Sequence, residues 1–233
     1  MLHRYLYLSF LPNVYFPYYA FLFFTLTLGL KKSGTPTGLV FLVLAVLSYA
    51  LHLLFSVERL ASSLALALYG AALLWRGELE PTPAGDNVVW TFLFALPTCA
   101  HNVSALNQVK DSTYATLALG ALLLGLGAWP VVRGAESDPL CRHPRVFAAA
   151  CAHLAMCVFA KSGLCLLAVF PAQCALLTRH MWDTDSERDY KQLGDAEYTR
   201  FRAKTSPCVP VPQALYARMP LTLRRLLFEN IDF

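Results

Sequence analysis

The stretch "CRHPRVFAAACAHLAMCVFA", residues 141–160, opens on a proline turn and continues as an almost unbroken apolar run. Pro144 suits the first turn of a helix, where its missing N–H costs nothing. The residues after it have the apolarity of a membrane-like helix. Yet the stretch carries two histidines, His143 and His153. An imidazole placed in such surroundings must be answered by a partner elsewhere in the chain, so fold and function meet here.

On either side, six more apolar segments accompany 146–160: residues 14–30, 38–56, 60–75, 88–108, 113–132 and 164–180. Apolar residues make up 57% of the 233 and charged residues 15%. A globular chain averages roughly 45–50% and about 25%, and the apolar residues here come in blocks, as in a polytopic membrane protein. The expectation is an all-α fold: a transmembrane helix bundle of six or seven spans over 1–181, then a short polar C-terminal helix and tail over 182–233. The count stays at six or seven because the segments 60–75 and 146–160 fall short of the ~20 residues a span needs. "KSG" at 161–163 joins the last two segments as a tight hairpin, and Pro97 is expected to kink the fourth.

Other classes are excluded by composition and motif. A net charge of +4, without basic residues interleaved with aromatics, does not make a nucleic-acid surface. The seven cysteines include no C-x-x-C pair, and an odd number at these spacings builds neither a disulfide framework nor a zinc site. No cleavable leader is read at the N-terminus. No H-E-x-x-H, phosphate-binding glycine loop or paired catalytic carboxylates are present.

The histidines carry what remains. His52 shares a helix face with Ser56 and Arg59. There it either ligates a metal through one ring nitrogen, the other being oriented by a neighbour, or hydrogen-bonds a carbonyl on an adjacent helix. His143 stands at a helix entrance between Arg142 and Pro144, with Arg145 beyond. Such an entrance binds anionic groups or simply anchors the chain at an interface. Cys141 is a soft ligand two residues before it. His153 lies ten residues after His143, so the two cannot readily share one metal. His101, beside Cys99, Asn102 and Ser104, is read as satisfied by its neighbours across the bundle.

His52 and Arg59, then "CRHPRVFAAACAHLA" (141–155), then "ERDYKQLGDAEYTRFRAKTS" (187–206) resemble, in order and rough spacing, the NnrU-like membrane proteins. That family includes the 15-cis-zeta-carotene isomerases. The resemblance implies a helical bundle binding haem b, with His52 and His143 as axial metal ligands. It also places Arg59, Arg142, Cys141 and His153 around the cofactor. The R-H-P motif is similar, more distantly, to that of isoprenylcysteine and phospholipid methyltransferases, which implies S-adenosylmethionine. Phe147, Ala148 and the Ser186-Glu187 pair depart from that pattern.

Two function classes remain. One is a haem b-dependent membrane isomerase or redox protein acting on a polyene or isoprenoid. The other keeps the bundle without the chemistry and packs against membrane lipids and other subunits of a larger complex. Leu53 stands where the family has serine, and alanines 148–150 stand where it has glycine. These departures favour the second class: an accessory, structural subunit with degenerate cofactor motifs, in a respiratory-type assembly of the mitochondrial inner membrane. Whether the chain is an enzyme stays open.

Overall fold

The computed structural model describes residues 16–52, 57–75, 88–98, 110–132, 140–192, 195–220, 222 and 224. The helices are α1 (Phe16–Lys32), α2 (Thr37–His52), α3 (Val57–Trp75), α4 (Val88–Ala95), α5 (Lys110–Val132), α6 (Pro144–Ala160), α7 (Phe170–Lys191), α8 (Ala196–Lys204) and α9 (Gln213–Arg218). A 3₁₀ turn (Leu96–Thr98) closes α4, and a π-helical turn (Cys165–Val169) leads into α7. Among the described residues the only extended pairing is an isolated bridge between Cys141 and Ser206.

Small residues set how closely the helices approach. α2 and α3 meet at Gly38 and Gly70, where an added Cβ would lie 2.5 Å and 2.7 Å from the other glycine's carbonyl oxygen. α5 lies against α6 in the same way. A Cβ at Gly120 would strike the Phe159 ring, and one at Gly127 would come within 2.8 Å of Cys151 Cβ. Gly125, on the same helix, meets nothing within 4 Å. Gly70→Ala is therefore expected to lower the unfolding free energy by about 1–3 kcal/mol, because backbone must move to admit one methyl. Gly125→Ala is expected to raise it by roughly 0.5–1 kcal/mol through helix propensity alone. Urea titration of the two variants checks the opposite signs.

α6 is the centre, touching α3, α5 and α7, and most of its residues are buried, His153 and Met156 completely. Pro144 opens it, and Lys161 ends it in the left-handed conformation at φ 49°. The chain then turns straight back through the π segment into α7, so the hairpin at 161–163 is formed. α7 continues without a break across residue 182 to Lys191, its second half rich in charge.

The membrane reading is overturned. Among the described residues no helix is long and apolar enough to cross a membrane. α1, α2 and α6 have 17, 16 and 17 residues, against the ~20 of a span. The fourth apolar segment stops after the eight residues of α4 at the Pro97 break, and the last runs into Asp183, Asp185 and Glu187. The fold is all-α, but a polytopic bundle of six or seven spans is not what these helices make. The placement as an integral protein of the mitochondrial inner membrane falls with it.

Candidate functional site

The R-H-P motif forms a latch. Residues 140–143 run beside the segment after α8: the Arg142 and His143 N–H groups donate to the Ser206 and Pro207 carbonyls at 2.8 and 2.9 Å, and Val211 N–H donates to Leu140 at 3.1 Å. This alignment aims the Arg142 and His143 side chains at one carboxylate on α7. The Arg142 guanidinium donates to Asp185 Oδ2 at 2.7 Å, and His143 Nε2 meets Asp185 Oδ1 at 2.8 Å. An ionised carboxylate only accepts, so His143 carries its proton on Nε2. Arg142 and His143 are 4% and 6% exposed, so the pairing is shielded from water.

Asp185 sits in competing fields. Burial raises its carboxyl, but the His143 hydrogen bond and the charges of Arg142, His143 and Arg202 outweigh this and hold it below the usual carboxylate range. One turn on, Asp189 accepts from Arg202 of α8 at 2.5 Å. Tyr198, beside Asp189, has its phenol pushed up to about 12, first by burial and then by the neighbouring carboxylate. Asp185 and Asp189 thus tie α7 to the start of α6 and to α8.

His153 answers the Pro97 break. Pro97 has no N–H to give the Leu93 carbonyl four residues back, and His153 Nε2 takes that place at 3.2 Å. A carbonyl cannot donate, so the His153 proton is on Nε2. Two more carbonyls at the break, those of Ala95 and Thr98, are met by hydroxyl groups. Thr98 Oγ1 donates to Ala95 at 2.7 Å, Ser48 Oγ of α2 to Thr98 at 3.1 Å, and Ser63 Oγ of α3 to Ser48 Oγ at 3.0 Å. Around this seam runs an aromatic cluster centred on Phe94. It stacks on Tyr69 at 4.7 Å, Trp90 at 4.9 Å, Phe41 at 5.0 Å and His153 at 5.2 Å between centroids. Burial pushes the His153 imidazole down to about 4 against the opposing pull of its Leu93 bond, so it is neutral.

The predicted site residues therefore divide. Arg142 and His143 are brought together on Asp185. Cys141 is buried in the bridge to Ser206 beside them. His153 faces α4 instead. His52 closes α2 and Arg59 lies in the first turn of α3, but their side chains, like the whole of His101 and Cys99, lie outside the described residues. Among the described residues no three His, Cys, Asp or Glu side chains are grouped to hold a metal ion. The haem-binding and isomerase readings find no support there. None of the six described cysteines is joined in a disulfide, and burial pushes Cys151 and Cys165 up to about 11 and Cys208 to about 12. Thiols held protonated in this way are poor nucleophiles and poor metal ligands. Compared with family models, curated proteins and solved structures, the chain matches none.

Asp185 was not legible as the partner of Arg142 and His143. Its signal was the i, i+4 spacing of Asp185 and Asp189, opposite the same spacing of Tyr198 and Arg202. It lay near the start of the polar segment over 182–233 but pointed to no particular target.

Proposed function

We propose that this chain is an accessory, structural subunit of a larger protein assembly, an α-helical scaffold whose NnrU-like motif residues hold the bundle together. One observation carries the reading: large apolar side chains stand exposed in rows at helical spacing. On α5, Leu119, Leu122 and Leu126 succeed one another at three and four residues and are 48%, 60% and 49% exposed. Trp75 at the end of α3 is 90% exposed, and Tyr18 and Phe21 of α1 are 72% and 70%. A free monomer seldom leaves contiguous apolar area of this kind uncovered, and partner helices laid against such rows would cover it. The commitment of His143 to Asp185 and of His153 to Leu93 supports the same reading, since both imidazoles serve the fold.

Affinity purification of the tagged full chain from its native cells tests this. Stoichiometric partner proteins are expected to co-purify, and Leu122→Glu with Leu126→Glu is expected to release them at least tenfold, with helical content unchanged. A partner-free monomer would sink the proposal. So would a haem Soret band in the purified protein that disappears in His143→Ala.

A further inference from the structure

Among the described residues, three buried polar atoms of α6 and α7 have no hydrogen-bond partner: Nδ1 of His153 and both amide atoms of Gln173. Both residues are fully buried. Their levels along the hairpin lie one turn apart. The hairpin turns at Lys161-Ser162, and His153 and Phe170, equally far from it along their helices, lie 5.9 Å apart between ring centroids. Gln173 is one turn further along the same buried face of α7, which continues to Leu177. Side chains lean toward the N-terminus of their own helix. His153 therefore leans away from the hairpin, toward the level of Gln173, and Gln173 leans back toward the level of Phe170.

The donor inventory then selects a guest. His153 Nε2–H is spent on the Leu93 carbonyl, so Nδ1 can only accept. Gln173 offers two N–H donors and a carbonyl acceptor. A direct amide-to-ring bond would leave the Gln173 carbonyl unsatisfied and one water leaves the amide N–H groups so, but only the water meets both acceptors. One water donates to both Nδ1 and the Gln173 carbonyl, and buried waters make about three such bonds to groups that lack other partners. We infer that His153 Nδ1 and the Gln173 amide form an internal water-binding site between α6 and α7. The water fixes the ring of His153 from the side opposite its Leu93 bond, and so holds α6 in register with the Pro97 break.

Nitrogen-15 NMR of the histidine-labelled full chain, with Gln173→Met as the variant of similar shape, tests this. The native Nδ1 resonance is expected at the position of a nitrogen accepting a hydrogen bond. It is expected to move toward that of a bare imidazole nitrogen in Gln173→Met, with a lower denaturant midpoint. A native Nδ1 signal already at the bare position overturns the inference. So does a through-bond coupling from the Gln173 amide to Nδ1, an unmoved resonance, or a midpoint that rises in Gln173→Met. If that variant fails to fold, magnetisation transfer from water to the His153 ring of the native chain decides: transfer from a long-lived water supports the site and its absence overturns it.

Discussion

Asp185→Ala is expected to cost about 3–5 kcal/mol of folding stability, because it leaves two shielded donors without their carboxylate. Arg142 and Asp185 side chains are 2% and 13% exposed, and His143 shares the same carboxylate at 2.8 Å. The loss is the desolvation of groups left unpaired more than the net worth of the pair. The triple variant Asp185→Leu, Arg142→Met, His143→Phe is therefore expected to recover most of it. Urea unfolding measures both, and amide exchange at Arg142 and His143, whose N–H groups bond Ser206 and Pro207, reports whether the latch opens locally. If the single variant costs under ~1 kcal/mol, Asp185 is only a solvated surface group. The pH dependence has a fixed sign. The folded Asp185 carboxyl lies below its ordinary 3.8. Its contribution is thus fully present above that value and is lost as the pH falls through the lower, folded one.

Much of the helical framework was readable because apolar blocks and breakers report it directly. Pro144 marks the start of α6, "KSG" marks the turn into α7, and Pro97 marks the end of α4. The environment of those helices was not readable from the same blocks. An apolar run says that a segment is buried but not in what, and a largely apolar helix of 16 or 17 residues suits a protein core as well as a membrane. Overall composition counts apolar residues without asking whether any one helix carries enough of them in a row. The site was legible by half for a related reason. The need of His143 and His153 for partners comes from burial alone. The identity of those partners depends on contacts 42 and 60 residues away in sequence. Nothing local singles out a carboxylate on α7, and the Leu93 carbonyl has no side-chain signal, only a proline four residues after it. The resemblance to a cofactor-binding family drew both histidines toward a ligand; in the structure His143 contacts Asp185 and His153 the Leu93 carbonyl.

Lowering the pH from about 6.5 to about 4 is expected to remove about 3 kcal/mol of stability through His153 alone, at up to 1.36 kcal/mol per pH unit. The unfolded imidazole takes up its proton near 6.5, whereas burial holds the folded one down to about 4. Between those values the unfolded chain binds a proton that the folded chain refuses. Stability is therefore complete above 6.5 and drains away as the pH falls. Protonation would place a charge in the aromatic cluster of Phe94 and Phe170, where the hydrogen bond to Leu93 does not offset its desolvation. His153→Phe keeps a ring in that stack and removes the titration, so its stability is expected to stay flat across the same range. The starting value should lie about 1–3 kcal/mol lower because the Leu93 carbonyl loses its donor. The two acid-sensitive groups act in separate windows, since the Asp185 contribution is lost only below 3.8. Urea midpoints of the native chain and His153→Phe at several pH values between 7 and 4 resolve them. Parallel curves in that window would mean that His153 is solvated, and with it the seam that closes the Pro97 break.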